Sequence, residues 1–253
     1  MPAKSALCRK QTEREIEKMN MLLLNKEDFL SSDTVCITGR RFERLKDFIH
    51  IDIGKEIKAG LRNENCGTAQ VTEIGADKVT LVYTPQSAPP SPPSLTLIIA
   101  LQRPQTFSKV IHSAVTIGIK KIHFIHTFKV EKSYWQSSRL LPENLQEEID
   151  LALEQSADPV EPQLFFHRRF KIFAEDELEA IAHNTCRLVG DPAGTAPVPM
   201  PGTPVTLALG PEGGFTDYEL NTLKEHGFSS MSLGSRILRT EFALAALLGK
   251  LLL

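Results

Sequence analysis

The segment from residue 205 to residue 248 constrains the fold more than any other stretch of the chain. It contains two consecutive units, each with a short apolar run, a glycine-containing turn and a segment of helical spacing: VTLALGPEGGFTDYELNTLKEHGF and then SSMSLGSRILRTEFALAALL. A continuous apolar run such as residues 205–209 is typical of a strand buried on both faces of a parallel sheet. Turns that follow parallel strands meet at the carboxyl edge of the sheet, where ligands bind. The two turns are therefore predicted to form one ligand site in an α/β fold.

The first turn, residues 210–214, predicts a place where another group lies against bare backbone. Its three glycines permit positive φ and close approach, and Pro211 fixes its own φ. Thr216 and Glu219 form a capping-box pattern for a helix that Gly227 would end. The turn matches neither the phosphate loop of nucleotide triphosphatases nor the G-x-G-x-x-G turn of dinucleotide-binding folds. The sequence thus predicts a glycine-lined pocket that is not a triphosphate cradle.

A single glycine-rich turn is equally typical of a plain strand–helix connection. The second turn changes this balance, since Gly234 is followed by an Arg-x-x-Arg-x-Glu pattern made of Arg236, Arg239 and Glu241. Two such turns in succession favour a functional pocket over two simple connections.

The segments LALGPEGGFTDYEL and LGSRILRTE resemble the signature of the SPOUT methyltransferases, and more narrowly of the ribosomal small subunit methyltransferase E family. That family methylates N3 of a uridine in 16S rRNA. The resemblance implies an S-adenosylmethionine-dependent enzyme with a knotted (trefoil) α/β parallel-sheet domain, preceded by a small PUA-like β-barrel that grips RNA. It also implies a homodimer that acts on 16S rRNA or on the small ribosomal subunit.

The resemblance further assigns three loops to the methyl donor. The implied cofactor-binding residues are Leu188, Val189, Gly190, Leu209, Gly210, Pro211, Glu212, Gly213, Gly214, Leu233, Gly234, Ile237, Leu238 and Arg239. Because protonated N3 of uridine is a weak nucleophile, catalysis must remove its proton or stabilise the resulting anion. The guanidinium of Arg236 or Arg239 suits the second task, and Glu241 would orient an arginine or accept the proton. The alternative for Arg239 and Glu241 is a structural pair at a helix start.

Composition shifts along the chain predict its domains. Residues 1–18 are polar and charged and predict a disordered tail, with a short solvated helix as the alternative. Residues 19–84 predict a small β-barrel, with strands at 21–24, 34–38, 56–61, 66–74 and 78–83 and a helix at 39–51. Residues 85–94, PQSAPPSPPS, predict an extended linker. Residues 95–253 alternate strands at 95–101, 122–125, 163–166, 186–190, 205–209 and 231–233 with helices at 105–118, 142–156 and 175–183. This alternation predicts a parallel sheet covered on both faces.

Candidate RNA contacts are local, because the formal net charge of the chain is −2. They are Arg40, Arg41 and Arg44 on the predicted helix at 39–51, and Arg168 and Arg169 in the run HRRFK. The alternative for both groups is that the arginine side chains are solvated and bind no RNA. Trp135 and Tyr134 are candidates for base stacking or for partial burial, and His123 and His126 are interpreted as structural histidines.

Several classes of protein are disfavoured. No apolar stretch reaches the roughly 18 residues of a membrane span, so no membrane partner is expected. The four cysteines are scattered without a C-x-x-C, which favours a reduced cytoplasmic location and gives no support for a metal site. Two alternatives to uridine N3 methylation stay open: the same fold acting on a different RNA nucleotide, and a non-catalytic RNA-binding protein. The intact GPEGG and RILRTE segments count against the second.

Overall fold

The computed structural model describes residues 19–252, so the predicted tail at residues 1–18 lies outside the described residues. The chain divides between Ala88 and Pro89 into two compact units. The division falls inside the proline-rich segment at residues 85–94.

The first unit is built on a five-stranded sheet. Its strands are β1 (Leu22–Leu24), β2 (Thr34–Thr38), β3 (Glu56–Leu61), β4 (Cys66–Ile74) and β5 (Lys78–Ser87), in the order β1-β3-β4-β5-β2. The β1–β3 pair is parallel and the other pairs are antiparallel. β5 takes in the first three residues of the segment predicted as a linker. This is possible because β2 pairs only as far as Val82, so Pro85 has a single neighbouring strand and its missing N–H breaks no ladder bond.

One helical segment covers the core of the first unit. Helix α1 (Gly39–Arg44) continues as a π-helical turn (Leu45–Ile49), and a short 3₁₀ turn (Lys26–Asp28) follows β1. Phe42 and Leu45 are fully buried on the helical segment. The segment ends two residues before the predicted end, because His50 adopts a left-handed φ of 50°.

The second unit is an α/β structure with a six-stranded, all-parallel sheet among its described residues. The strands are β6 (Leu95–Ala100), β7 (Lys121–Ile125), β8 (Gln163–His167), β9 (Cys186–Gly190), β10 (Val205–Leu209) and β11 (Ser229–Met231), in the order β11-β9-β10-β6-β7-β8. Every residue of β10 is buried, so both faces of this strand are covered. The predicted parallel sheet is confirmed, although β11 begins two residues earlier than expected.

Helices follow most strands of this sheet. They are α2 (Pro104–Thr116), α3 (Pro142–Ser156), α4 (Phe170–Ile172), α5 (Leu178–Ile181), α6 (Asp217–Glu225) and α7 (Thr240–Leu252). A π-helical turn (Phe173–Glu177) joins α4 to α5, and two 3₁₀ turns (Lys132–Gln136 and Ser138–Leu140) precede α3. Helix α2 packs against both α3 and α7.

Some sequence expectations concern features beyond the sheet. Within residues 19–252, no helix combines the length and apolar character needed to cross a membrane. Cys36, Cys66 and Cys186 form no disulfide within the described residues, and Cys8 lies outside them.

Candidate functional site

The loops that follow three adjacent strands, β9, β10 and β11, enclose a cavity of about 410 Å³ at the carboxyl edge of the sheet. Its lining residues are Gly190, Asp191, Pro192, Leu209, Gly210, Pro211, Glu212, Gly213, Gly214, Phe215, Leu220, Met231, Leu233, Gly234, Arg236, Ile237, Leu238, Thr240, Ala243 and Leu247. The two turns that the sequence singles out therefore meet at one pocket, together with the loop after β9.

The loop after β9 brings its backbone close to the cavity because Gly190 has no side chain. A Cβ at this position would lie 2.4 Å from Cδ2 of Leu209 and 3.1 Å from Cδ1 of Leu247. The backbone N–H of Asp191 donates to the carbonyl of Met231 at 3.0 Å, which joins this loop to the end of β11. Packing and backbone bonding thus fix one wall of the cavity.

The loop after β10 is held on two sides. Gly214, with a φ of 70°, donates its N–H to the carbonyl of Pro211 at 2.8 Å and closes a tight turn. From outside the turn, the buried Gln102 donates to the carbonyl of Gly210 at 3.2 Å, and Nζ of Lys129 donates to the carbonyl of Gly213 at 2.6 Å. These bonds tie the glycine turn to the segments that follow β6 and β7.

The capping box predicted for α6 is confirmed. The hydroxyl of Thr216 accepts from the N–H of Glu219, and the Glu219 carboxylate accepts from the N–H and the hydroxyl of Thr216 at 2.8 and 2.9 Å. The carboxylate is buried, and its other oxygen accepts from the backbone N–H of Phe128 at 2.7 Å. One side chain therefore caps α6 and fastens the loop after β7 to it.

The loop after β11 forms the third wall and turns at Gly234, whose φ is 106°. The hydroxyl of Ser232 donates to the carbonyl of Pro192 at 3.0 Å and accepts from the N–H of Gly234 at 3.0 Å. Ile237 is 90% exposed although it also lines the cavity. The first and third walls are thus joined by a hydrogen bond, and the third carries apolar surface open to solvent.

The structure brings most of the predicted cofactor residues to this cavity. Gly190, Leu209, Gly210, Pro211, Glu212, Gly213, Gly214, Leu233, Gly234, Ile237 and Leu238 line it. Leu188 and Val189 are buried within β9, and Arg239 is exposed outside the lining. The assignment of all these residues to the cofactor, whether or not they line the cavity, stays a prediction.

Sequence reasoning missed one wall, which helix α7 provides. Thr240, Ala243 and Leu247 line the cavity from that helix at the i, i+3, i+7 spacing of a single face. This spacing in the sequence predicts that the three side chains lie on one face of the helix. Phe215 and Leu220 were also missed, although they flank the predicted turn and capping box.

The three predicted catalytic residues are placed differently. Arg236 lines the cavity, whereas Arg239 is exposed and Glu241 is buried in the first turn of α7. Oε1 of Glu241 lies 3.7 Å from Nζ of Lys109 on α2. Helix α7 begins at Thr240, which lies between Arg239 and Glu241. The catalytic roles of all three residues stay predictions.

The predicted RNA contacts fall into two groups. Arg41 donates to both carboxylate oxygens of the buried Asp28, at 2.5 and 2.6 Å, and to the carbonyl of Leu23 at 3.0 Å. This bidentate pair gives Arg41 a structural role in the first unit, while Arg40 is exposed and Arg44 half-buried. In the second unit the guanidinium of Arg168 lies 5.1 Å from the ring centre of Trp135, and Arg169 is exposed.

The histidines of β7 and its loop make specific hydrogen bonds. Nδ1 of His123 lies 3.0 Å from Nε2 of His167, whose Nδ1 lies 3.1 Å from a carboxylate oxygen of Glu177. Burial, the neighbouring His167 and Lys121 lower the pKa of His123 to about 4. Nδ1 of His126 accepts from the indole N–H of Trp135 at 2.7 Å. Residues 19–252 contain no cluster of three or more histidines, cysteines and carboxylates that could hold a metal ion.

Comparison with known proteins assigns the second unit. The family described as RNA methyltransferase domain matches residues 89–252, which is nearly the whole of that unit. The chain belongs to this RNA methyltransferase family. The match includes the whole parallel sheet and every residue that lines the cavity of the three loops.

Relatives and solved structures extend the likeness to both units. The chain is 24% identical over 237 residues to ribosomal RNA small subunit methyltransferase E of Treponema pallidum (strain Nichols), covering 90% of this chain and 88% of that protein. It is 30% identical over 159 residues to the protein of the same name from Mesomycoplasma hyopneumoniae (strain 232), covering 61% and 67%. The Neisseria gonorrhoeae protein of that name, solved with bound S-adenosyl methionine, has a TM-score of 0.72 at 20% identity and covers 91% and 95%. A Legionella pneumophila protein solved with the same cofactor has a TM-score of 0.75 at 20% identity and covers 92% and 97%. These two structures show that the fold is shared.

Proposed function

We propose that this RNA methyltransferase uses S-adenosylmethionine to methylate N3 of a uridine in 16S rRNA. The observation that carries the proposal is the cavity formed by three loops at the carboxyl edge of a parallel sheet, in a chain that belongs to an RNA methyltransferase family. The names of the relatives from Treponema and Mesomycoplasma support rRNA of the small subunit as the substrate.

The residues around the cavity fit the proposed cofactor. Gly214 and Gly234 adopt positive φ and would have open space around a Cβ, so their turns expose peptide groups to a ligand. Leu238, Met231 and Leu247 supply apolar surface for a flat ring, and backbone N–H and C=O groups of the turns supply donors and acceptors. S-adenosylmethionine, when bound, supplies an electrophilic methyl group on its sulfonium.

The protein's own task is to make N3 of uridine nucleophilic. Loss of the N3 proton places negative charge on the flanking carbonyl oxygens, and a guanidinium stabilises such charge with forked donors. Arg236 is the first candidate, because it lines the cavity. Arg239 and Glu241 complete the proposed catalytic set, with Glu241 as the group that orients an arginine or takes the proton.

The finer architecture also belongs to this proposal. A trefoil knot in the second unit is supported by the position of β10, which lies between the earlier strands β6 and β9. A PUA-like barrel that grips RNA is supported by the small sheet and single helical segment of the first unit. Exposed Ile237 and Phe242 support a homodimer, since large exposed apolar side chains mark interaction surfaces. A reduced, cytoplasmic location suits an enzyme of the ribosome.

The test combines cofactor binding with substrate mapping. Titration calorimetry with S-adenosylmethionine is expected to show one binding event, and small subunits from a strain that lacks the gene are expected to gain N3-methyluridine at one position. Arg236→Ala is expected to lower kcat by about 10²-fold or more while cofactor affinity stays within a few-fold, because an anion-stabilising group acts mainly in the transition state. Arg236→Lys keeps the charge and serves as the matched control.

Each negative result has a defined meaning. If no cofactor binding is detected, the remaining interpretation is a non-catalytic RNA-binding protein. If another base is methylated, the remaining interpretation is the same fold acting on a different target nucleotide.

A further inference from the structure

A second cavity, of about 610 Å³, lies beside the start of α6. We call it the α6 cleft; its walls include Thr127, Phe128, Lys132, Phe170, Lys171 and Tyr218. The volume is within the range of small-molecule sites. The segment between Gly210 and Leu220 borders both cavities, because Phe215 and Leu220 line the cavity of the three loops while Thr216 and Tyr218 line the α6 cleft.

The α6 cleft presents aromatic rings to solvent. Phe128 is 84% exposed and Tyr218 is 60% exposed. The ring of Tyr218 is backed by the buried Phe170, with centroids 6.4 Å apart and planes at 69°. Exposed aromatic faces act as stacking platforms for unpaired bases, and they accept any base because every base has a π-face.

The interior of the cleft holds polar groups that lack a partner or have donor capacity left. Thr127 is 1% exposed, and its Oγ1 makes no hydrogen bond within the described part of the chain. The imidazole of His126 also lines the cleft and accepts the Trp135 N–H on Nδ1, so the neutral ring carries its proton on Nε2. Burial, together with the nearby Lys132, lowers the pKa of His126 and favours that neutral form. A hydroxyl and an imidazole N–H together match the acceptor and donor groups on the edge of a nucleobase.

The rim of the cleft is basic. Lys132 and Lys171 both line it and are exposed, although the whole chain carries a net charge of −2. Nζ of Lys171 lies 3.7 Å from Glu175 one helical turn away, and both side chains are more than half exposed, so the pair is weak and its ammonium can bind a phosphate instead. This charge pattern fits a polyanion whose base enters an apolar slot.

We propose that the α6 cleft binds an unpaired nucleotide of the RNA substrate that is not the nucleotide to be methylated. Its base stacks against Tyr218 and Phe128 with its edge at Thr127, and neighbouring phosphates lie at Lys132 and Lys171. The identity of the RNA rests on the function proposed above. Because both cavities share the segment between Gly210 and Leu220, a base held in the cleft positions the strand relative to the cavity of the three loops.

The charge contribution is tested by filter binding of a 16S rRNA transcript at several salt concentrations. The double variant Lys132→Gln, Lys171→Gln is expected to bind about 5- to 30-fold more weakly at low salt, with a log–log salt slope smaller by about 1.4 to 1.8, because two phosphate contacts are lost. The matched control is Lys121→Gln, Lys224→Gln, which removes the same charge from exposed positions outside the cleft. Equal losses in both double variants would overturn the proposal.

The stacking contribution is tested by Tyr218→Ala, with Tyr218→Phe as the ring-preserving control. The alanine variant is expected to lose about 5- to 30-fold in RNA affinity while the phenylalanine variant stays within about twofold of the unaltered protein. Thermal unfolding of each variant checks that it folds. Ultraviolet cross-linking of a 4-thiouridine transcript is expected to label peptides that contain Tyr218 or Phe128. Cross-links confined to other peptides, together with unchanged affinity of Tyr218→Ala, would overturn the proposal.

The same samples separate this proposal from the function on which it rests. If the unaltered protein neither binds S-adenosylmethionine nor transfers methyl groups, the proposed function fails, yet the salt slopes and cross-links still decide whether RNA occupies the cleft. If methyl transfer proceeds and the cleft variants bind RNA as tightly as the unaltered protein, the cleft proposal alone is wrong.

Discussion

Gly190 sets the width of the cavity of the three loops. The space that a side chain would need is filled by Leu209 and Leu247, both of which line that cavity. An added methyl group would push the end of Leu209, which is the nearest contact at 2.4 Å. Packing strain at this position would therefore be passed directly to the ligand site.

Gly190→Ala is expected to weaken binding of S-adenosylmethionine about tenfold or more and to lower stability by about 1–3 kcal/mol, since overpacking costs energy of this order. Gly249→Ala is the control, because its Cβ meets nothing within 4 Å and it lies inside α7. That change is expected to stabilise the protein by about 0.5–1 kcal/mol. Calorimetry and urea unfolding measure the two effects, and equal cofactor affinity in both variants would contradict this account.

His123 gives the second unit a pH-dependent stability. Its pKa in the fold, about 4, lies below the ordinary value of 6.5, so the unfolded chain binds more protons between these values. Stability is then fully present above about pH 6.5 and falls by up to about 3 kcal/mol as the pH approaches 4. His123→Gln is expected to reduce this loss in urea titrations followed by Trp135, the single tryptophan of the chain. The exposed His183→Gln is the control, and an unchanged pH dependence in His123→Gln would refute the prediction.

Single-residue roles were only partly predictable from sequence. Thr216 and Glu219 form the capping box as expected, because that pattern depends on residues three positions apart. The bond from the N–H of Phe128 to Glu219 joins positions 91 residues apart, and no local pattern contains it. The pairing of His123 with His167, 44 residues away, was unpredictable for the same reason.

At the scale of elements, α6 is fixed at its amino end by its own sequence and by the loop after β7. Three donors reach the Glu219 carboxylate: the N–H and the hydroxyl of Thr216, and the N–H of Phe128. The first turn of the helix consequently anchors the glycine turn before it and the Phe128 loop beside it.

Glu219→Gln is expected to destabilise the second unit by about 1–3 kcal/mol, because the amide NH₂ would face donors in a buried position. Asp217→Asn is the control, since Asp217 is exposed in the same helical turn and its loss should cost at most about 1 kcal/mol. Urea unfolding followed by Trp135 fluorescence measures both. Comparable losses in the two variants would show that helix-end charge, and not the buried network, accounts for the effect.

Element positions were the most predictable part of the fold. β2, β3, β4, β9 and β10 have the predicted bounds, since each is a short apolar or alternating run between turn residues. The last helix begins at Thr240, three residues after the predicted entry at Ile237, because residues 236–238 belong to the loop that lines the cavity. The path of that loop depends on the walls around it, and so the positions of Arg239 and Glu241 relative to the cavity could not be predicted.

At the scale of the whole molecule, each unit has a core of its own. The core of the first unit is formed by residues between Met19 and Tyr83, and the six strands of the second unit all lie between Leu95 and Met231. The order β11-β9-β10-β6-β7-β8 was not predictable from sequence, because strand order depends on pairing between distant segments.

Residues 89–253, expressed as a separate chain, are expected to unfold cooperatively and to bind S-adenosylmethionine within about threefold of the full chain, since all residues that line the cavity belong to this unit. Affinity for a 16S rRNA transcript is expected to fall, because the proposed RNA-gripping barrel is removed. Calorimetry and filter binding measure the two quantities. If the fragment keeps the full RNA affinity, the first unit takes no part in RNA recognition.

The hydrogen bond from Lys129 to the carbonyl of Gly213 joins the loop beside the α6 cleft to the turn beside the cavity of the three loops. Because the segment between Gly210 and Leu220 borders both cavities, a ligand that moves it in one cavity also changes the other cavity. By thermodynamic linkage, if bound RNA raises the affinity for the methyl donor by some factor, the bound methyl donor must raise the affinity for RNA by the same factor. The demethylated cofactor keeps every other part of the donor molecule. It would therefore weaken RNA binding only to the extent that this shared segment responds to the loss of the methyl group.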